Sequence, residues 1–264
     1  MYTYRRDSIR IYAAVLSIAA LTLVGHANAA NEKGKSRSIV LVHGAFADGS
    51  SWDKVVPLLE AKGYAVVAVH QPLTSLAADV AATKRAISEQ PGEVILVGHS
   101  YGGAVITEAG NDSKVVGLVY VAAFAPDDGQ SANDLAKTVP PPVWLKQMQV
   151  DEGFGRLPTT TVVQEFAQDL PAAEAKLLAV KQGPINVKNF DDKIKTAAWH
   201  SKPSWYVRTT NDRMIDPNLQ TTMSQKIKAT TTSLDSSHVP FLSRPKQVAA
   251  VILDAASRAT VASR

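Results

Sequence analysis

Short apolar segments rich in β-branched residues recur along this chain, at Ser38 to Val42, Tyr64 to Val69, Glu93 to Gly98 and Val115 to Val121, and stretches of helical character separate them. A strand that is apolar at nearly every position has no face left for solvent, so both of its sides must be covered. Such strands alternating with helices build a mostly parallel sheet with helices on both faces, an α/β fold. The intervening pieces fit that scheme. Ser51 to Lys62, with Gly63 as a stop, Leu76 to Glu89 and Gly102 to Asn111 read as helices, and Pro57 predicts a kink or a late start in the first of them. Beyond residue 200 the alternation resumes, with strands at Ser204 to Val207 and Thr230 to Leu234 and helices at Pro217 to Ile227 and Pro245 to Arg258. The expectation is six strands in one mostly parallel sheet.

Residues 125–200, approximately, break the alternation. They hold Pro140-Pro141-Pro142 and helix-like stretches around Val162 to Phe166 and Ala172 to Ala179. An insertion after the fourth strand, beside the place where a ligand would sit, reads as a helical cap over the site.

The first thirty residues read as an address. Arg5, Arg6 and Arg10 precede a short apolar run from Ile11 to Val24, and Ala27-Asn28-Ala29 offers a small-x-small processing point. The expectation is a signal peptide over 1–30, an exported chain starting near Ala30 or Asn31, periplasmic or secreted, and no stable membrane anchor once the signal is removed. A single folded domain then spans 31–264. With 45% hydrophobic residues the full chain can bury one sizeable core, and with no cysteine it has no disulfide, thiolate metal site or cysteine nucleophile. Removing three basic and one acidic residue with the signal leaves 25 basic against 23 acidic, or +2. That near balance, without a basic tract, argues against nucleic acid as a partner.

The chemistry centres on Gly98-His99-Ser100-Tyr101-Gly102, placed where the third strand passes into a helix. A Gly-x-Ser-x-Gly in that context is a nucleophile elbow, a sharp strained turn that projects the serine hydroxyl from the sheet. A serine hydroxyl needs a base to take its proton. Of the six histidines, His26 leaves with the signal, His43 suits a structural role, and His99 should point away from its neighbour Ser100. His70 and His200 have no supporting context. His238 remains, on a loop between the last strand and the last helix, where the chain order Ser, acid, His requires it. The acid falls on the loop after the fifth strand, where Asp212 is preferred because Asp216, directly before Pro217, is accounted for as a helix cap. Asp235 and Asp127 are weaker rivals. An oxyanion hole would use the amides of Tyr101 and, in the His43-Gly44-Ala45-Phe46 loop, Ala45. No metal set shows ligand spacing, and 98–103 lacks the glycine pattern of a dinucleotide site.

These pieces together resemble the α/β-hydrolase superfamily, and within it small members similar to plant hydroxynitrile lyases and salicylate-type methyl esterases. Val42-His43-Gly44-Ala45-Phe46 with Trp52, the Ser100 elbow, Asn211-Asp212 and Ser237-His238 carry the likeness over most of the chain. The resemblance implies a triad of Ser100, Asp212 and His238, a helical cap and no cofactor. Hydroxynitrile lyases of this type place a lysine directly after the histidine, whereas Val239 stands there here, which disfavours lyase chemistry. The expected activity is hydrolysis of carboxylic esters of small to medium apolar substrates through an acyl-enzyme. Perhydrolase or lactonase action on the same triad, or a receptor-like protein with slow hydrolysis, are the alternatives. Phe46, Phe124, Trp144 and Met148 are the candidate substrate contacts, with Leu145 and Phe154 as further apolar residues of the cap.

Overall fold

A computed structural model describes residues 37–259. The expected signal peptide over 1–30 and its processing point lie outside the described residues. Among those described, no helix is long and apolar enough to cross a membrane.

Six strands form one parallel sheet in the order β2-β1-β3-β4-β8-β9. They are β1 (Arg37–Val42), β2 (Ala65–Val69), β3 (Glu93–His99), β4 (Val115–Val121), β8 (Ser204–Thr209) and β9 (Thr230–Leu234). The registers run Val40 against Val67 and Leu96, Leu96 against Leu118, Val121 against Val207 and Val207 against Thr232. β3 and β4 carry no exposed residue and β4 is buried along its whole length, as the apolar runs required. Two helix pairs pack on the sheet, α2 (Leu76–Ser88) with α3 (Gly102–Ala109), and α1 (Val56–Glu60) with α10 (Pro245–Arg258). Pro57 sits in the first turn of α1, so that helix starts late, after a 3₁₀ turn at Gly49–Trp52. There the missing proline N–H is no loss, because first-turn amides have no helical partner.

Between β4 and β8 lies the cap. It holds α4 (Ala132–Ala136), α5 (Val143–Gln147), β5 (Gln149–Asp151), β6 (Phe154–Arg156), α6 (Thr159–Thr161), a π-helical turn at Val162–Phe166, α7 (Ala172–Lys181) and β7 (Ile185–Asn186). The strands β5, β6 and β7 make a small antiparallel sheet that the sequence pattern did not reveal. Strands of two or three residues are too short for an alternation to register. The remaining helices are α8 (Pro217–Lys226) and the short α9 (Pro240–Ser243).

The strand order explains where a site must form. Chain direction across the sheet reverses between β1 and β3, and in open parallel sheets ligands bind beyond the carboxyl ends of the strands at such a switch. The loops leaving β1, β3, β8 and β9 at that edge are 43–46, 99–101, 210–216 and 235–239.

Candidate active site

Ser100 occupies the turn between β3 and α3 with φ +53°, a left-handed conformation that costs a non-glycine residue about 1–3 kcal/mol. The surroundings hold it there. Its amide donates to the Val121 carbonyl at 3.2 Å, and its carbonyl accepts from Gly103 at 3.0 Å and Phe124 at 3.1 Å. Close approach of strand and helix depends on the glycines. A Cβ on Gly98 would lie 2.5 Å from the Gly102 carbonyl oxygen.

Asp212 and His238, 26 residues apart, meet in the interior. His238 Nδ1 lies 2.8 Å from Asp212 Oδ2, and both side chains are almost wholly removed from solvent. A carboxylate facing Nδ1 places the ring proton on that nitrogen and leaves Nε2 with its lone pair. Four further donors meet Asp212. Met214 and Ile215 amides reach Oδ1 at 2.8 and 3.0 Å, and Thr209 Oγ1 and Gln220 Nε2 reach Oδ2 at 2.9 and 2.8 Å. A buried carboxylate needs this degree of satisfaction. Asp216 does cap α8, accepting from Asn218 N at 2.7 Å. Asp235 pairs with Asn211, and Asp127 with Lys226 and His200, so neither rival faces the imidazole.

Neither the Ser100 hydroxyl nor His238 Nε2 makes a hydrogen bond to any described residue. What joins the Ser100 turn directly to the His238 loop is His99. Its Nε2 is 2.9 Å from the His238 carbonyl oxygen, which can only accept, so Nε2 carries the proton. Its ring lies 4.7 Å from that of His238 and edge-on to Phe241. Burial first, and His238 and His43 nearby, hold its pKa well below the usual histidine range, so the ring is neutral. His99 therefore points away from Ser100, as expected, but toward His238. Phe166 from the cap closes edge-on over His238 at 5.2 Å.

The 43–46 loop is held by the His43 ring, whose Nδ1 donates to the Gly44 carbonyl at 2.8 Å while Nε2 accepts from Gln71 N at 3.2 Å. Burial lowers its pKa and keeps it neutral. The amides of Ala45, Phe46 and Tyr101 donate to no described residue, and Phe46 has φ +59°.

Of the candidate contacts, Phe124, Trp144 and Met148, with Leu145, line a cavity of about 410 Å³ that also touches Asp212 and Phe190. Trp144 Nε1 donates to the Met214 carbonyl at 3.0 Å, fixing that wall to the Asp212 loop. Phe46 packs edge-on against Trp144 at 5.8 Å and lines a much smaller neighbouring cavity of about 10 Å³. Phe154, on β6, lies outside the lining of both.

Three contributors escaped sequence reading. Gln220 and Thr209 bracket Asp212, and Asp169 of the cap accepts from Ser236 Oγ at 3.1 Å, Ser237 N at 2.9 Å and Ser237 Oγ, gripping the loop that carries His238. Burial raises the Asp169 pKa, but the bonds from Ser237, Ser243 and Ser236 outweigh it and hold the carboxyl below its ordinary value. No motif announces such residues, because they are defined by neighbours distant in sequence. Tertiary proximity also groups Asp127, Asp128 and His200, with ligand atoms within 4.8 Å of one another. Lys226 Nζ, 2.8 Å from Asp127 Oδ2, already supplies a cation there.

A parallel sheet with a strained serine after β3, an acid after β8 and a histidine after β9 defines an α/β hydrolase. Residues 39–251 match the Alpha/beta hydrolase family, and this chain belongs to it. Its relatives include a pyrethroid hydrolase of Sphingobium wenxiniae, 29% identical over 251 residues, covering 82% of this chain and 86% of that protein. Methylesterase 7 of Arabidopsis thaliana is 27% identical over 265 residues, covering 86% of this chain and 99% of that one. The crystal structure of a pyrethroid hydrolase from Sphingobium faniae shares the fold, with a TM-score of 0.72 at 24% identity, over 84% of this chain and 98% of that chain.

Proposed function

We propose that this protein hydrolyses carboxylic esters of apolar substrates, with Ser100 as nucleophile, His238 as base and Asp212 as its orienting acid. The observation that carries the reading is the sealed Asp212–His238 pair, 2.8 Å apart and tied through His99 to the strained Ser100 turn. Ser100 Oγ attacks the ester carbonyl carbon while its proton passes to His238 Nε2. The carbonyl oxygen becomes an oxyanion and takes up the free amides of Tyr101 and of Ala45, or its neighbour Phe46. Collapse expels the alcohol with the proton from His238. Water then attacks the acyl-enzyme, giving its proton to His238, and the acid leaves as Ser100 is restored. In empty sites the serine–imidazole contact is often long and tightens only with substrate.

The chamber of about 410 Å³ beneath the cap, walled by Phe124, Trp144, Leu145 and Met148, supports a sizeable apolar acyl or alcohol group. The pyrethroid hydrolase and methylesterase relatives point the same way. The test is steady-state turnover of an ester panel, from p-nitrophenyl acetate and butyrate to methyl and bulky aryl-alcohol esters. Ser100→Ala should abolish turnover while thermal unfolding stays unchanged. Wild-type turnover in that variant refutes the nucleophile, and a single acyl burst without further release points instead to a slow, receptor-like protein.

A further inference from the structure

Behind the elbow lies a buried polar cluster that the proposed reaction does not use directly. Tyr101 Oη donates to Asp79 Oδ2 at 2.8 Å, and Asp79 Oδ1 accepts from Leu73 N at 2.8 Å. Asn189 Nδ2 lies 3.3 Å from both Asp79 Oδ2 and Tyr101 Oη. Asp79 and Tyr101 are fully buried and Asn189 nearly so. The three come from different parts of the fold. Asp79 is on α2, Tyr101 directly follows the strained Ser100, and Asn189 belongs to a 3₁₀ turn of the cap at Val187–Phe190. Phe190, next to Asn189, sets its ring edge-on to Tyr101 at 5.7 Å and also packs 6.5 Å from Phe46 of the 43–46 loop.

We propose that Asp79 and Asn189 are positioning residues that hold the Tyr101 side chain at its tip, thereby aiming the Tyr101 amide at the oxyanion and coupling that amide to the seating of the cap. This rests on the ester-hydrolysis reading of the same site. The physical argument is leverage. Residue 101 contributes a backbone N–H at one end and a phenol at the other, and a rigid ring connects them. An amide adjoining a strained turn has neighbouring conformations to relax into, and a ring anchored at its far end removes them. A buried carboxylate is a poor way to gain stability, since apolar side chains of similar volume often do as well or better. Burial pushes the Asp79 pKa up to about 6 even though Tyr101, Leu73 and Asn189 all donate to it, and Asp192 adds a like charge nearby. Burial, with Asp79 beside it, raises the Tyr101 pKa far above the ordinary phenol value, so the hydroxyl remains a donor. A placement that is unfavourable for stability and touches the proposed oxyanion donor is better explained by orientation than by packing.

The experiment compares the full chain with Tyr101→Phe, Asp79→Asn and the double variant. Competent Ser100 is counted with a fluorophosphonate, kcat and KM are measured on p-nitrophenyl butyrate, and inhibition by a trifluoromethyl ketone reads the oxyanion. Tyr101→Phe keeps the ring and the amide and loses only the anchor. The expected result is kcat per competent site down about tenfold or more, KM within twofold, and ketone affinity weakened by a similar factor. The double variant should be no worse than the poorer single one, as for groups acting as a unit. Unchanged kcat per competent site in Tyr101→Phe, with only a lower melting temperature, assigns the cluster to stability and overturns the proposal while leaving the hydrolase reading intact. A wild-type chain that neither reacts with fluorophosphonate nor turns over any ester overturns both.

Discussion

Replacing Gln220 by leucine keeps the side chain's bulk and removes its polar end, so the cost follows from the hydrogen bonds of its amide. Gln220 is fully buried on α8. Its Oε1 accepts from Thr209 N at 3.0 Å, and its Nε2 reaches Asp212 Oδ2 at 2.8 Å, the Ile215 carbonyl at 3.0 Å and Thr209 Oγ1 at 3.1 Å. In Gln220→Leu the Thr209 amide and Ile215 carbonyl are left without these partners, at about 1–3 kcal/mol for each buried group. The sum is about 2–6 kcal/mol. At about 2–4 °C per kcal/mol for a chain of this size, the melting temperature should fall by about 4–24 °C. Asp212 keeps His238 and three other donors, so the site should form but be less well held. Losing one net hydrogen bond of about 1–1.5 kcal/mol from the transition state lowers kcat about tenfold. Differential scanning calorimetry and ester turnover on the folded fraction read the two effects separately. A melting temperature within 2 °C of wild type together with full kcat (the 2 °C bound being about 0.5–1 kcal/mol) would falsify the assignment of Gln220 as a support for Asp212.

Three further outcomes are expected. A Cβ on Gly44 would lie 2.7 Å from Ser100 Cβ and 2.9 Å from His99 Nδ1, so Gly44→Ala should destabilise by about 1–3 kcal/mol and cut kcat about a hundredfold by displacing Ser100; normal turnover would show that the loop yields without consequence. Between the unfolded carboxyl value of 3.8 and about 6, Asp79 keeps its proton in the folded chain and releases it in the unfolded one, so stability falls as pH rises through that window. The loss is about 3 kcal/mol by pH 7, read by urea unfolding as the difference between wild type and Asp79→Asn, and a pH-independent difference refutes it. Expressed from Met1 in an exporting bacterial host, the chain should be recovered processed near Ala30 or Asn31, and an intact mass that includes residues 1–30 would refute the export reading.

The two most local features of the site were legible without coordinates. Short apolar runs between turn residues read as strands, and Gly98-His99-Ser100-Tyr101-Gly102 between strand and helix permits few backbone paths, so β1 to β4 and the elbow followed from neighbouring residues alone, whereas the place of β2 at the half-buried edge of the sheet did not. The same holds for β9 and α10, whose observed bounds, Thr230–Leu234 and Pro245–Arg258, coincide with the periodicity. The choice of Asp212 over Asp216 also came from a local rule, since a carboxylate before Pro217 has a helix end to cap.

The rest was decided by the folded chain, because it depends on which surfaces meet. His99 and His200 look equally uninformative as letters. One is buried against the His238 carbonyl and the other pairs with Asp127 at the surface. Asp79, Asn189, Asp169 and Gln220 belong to no motif, and their side-chain partners lie between 5 and 110 residues away. The sequence by itself determined the strands of the main sheet, the longer helices that flank it and the turn that carries Ser100, since backbone conformation and burial patterns are set by residues close along the chain. The tertiary structure alone decided how Asp212, His238 and the cap are held around that serine, because hydrogen bonds between distant segments exist only once the sheet has brought their loops to one edge.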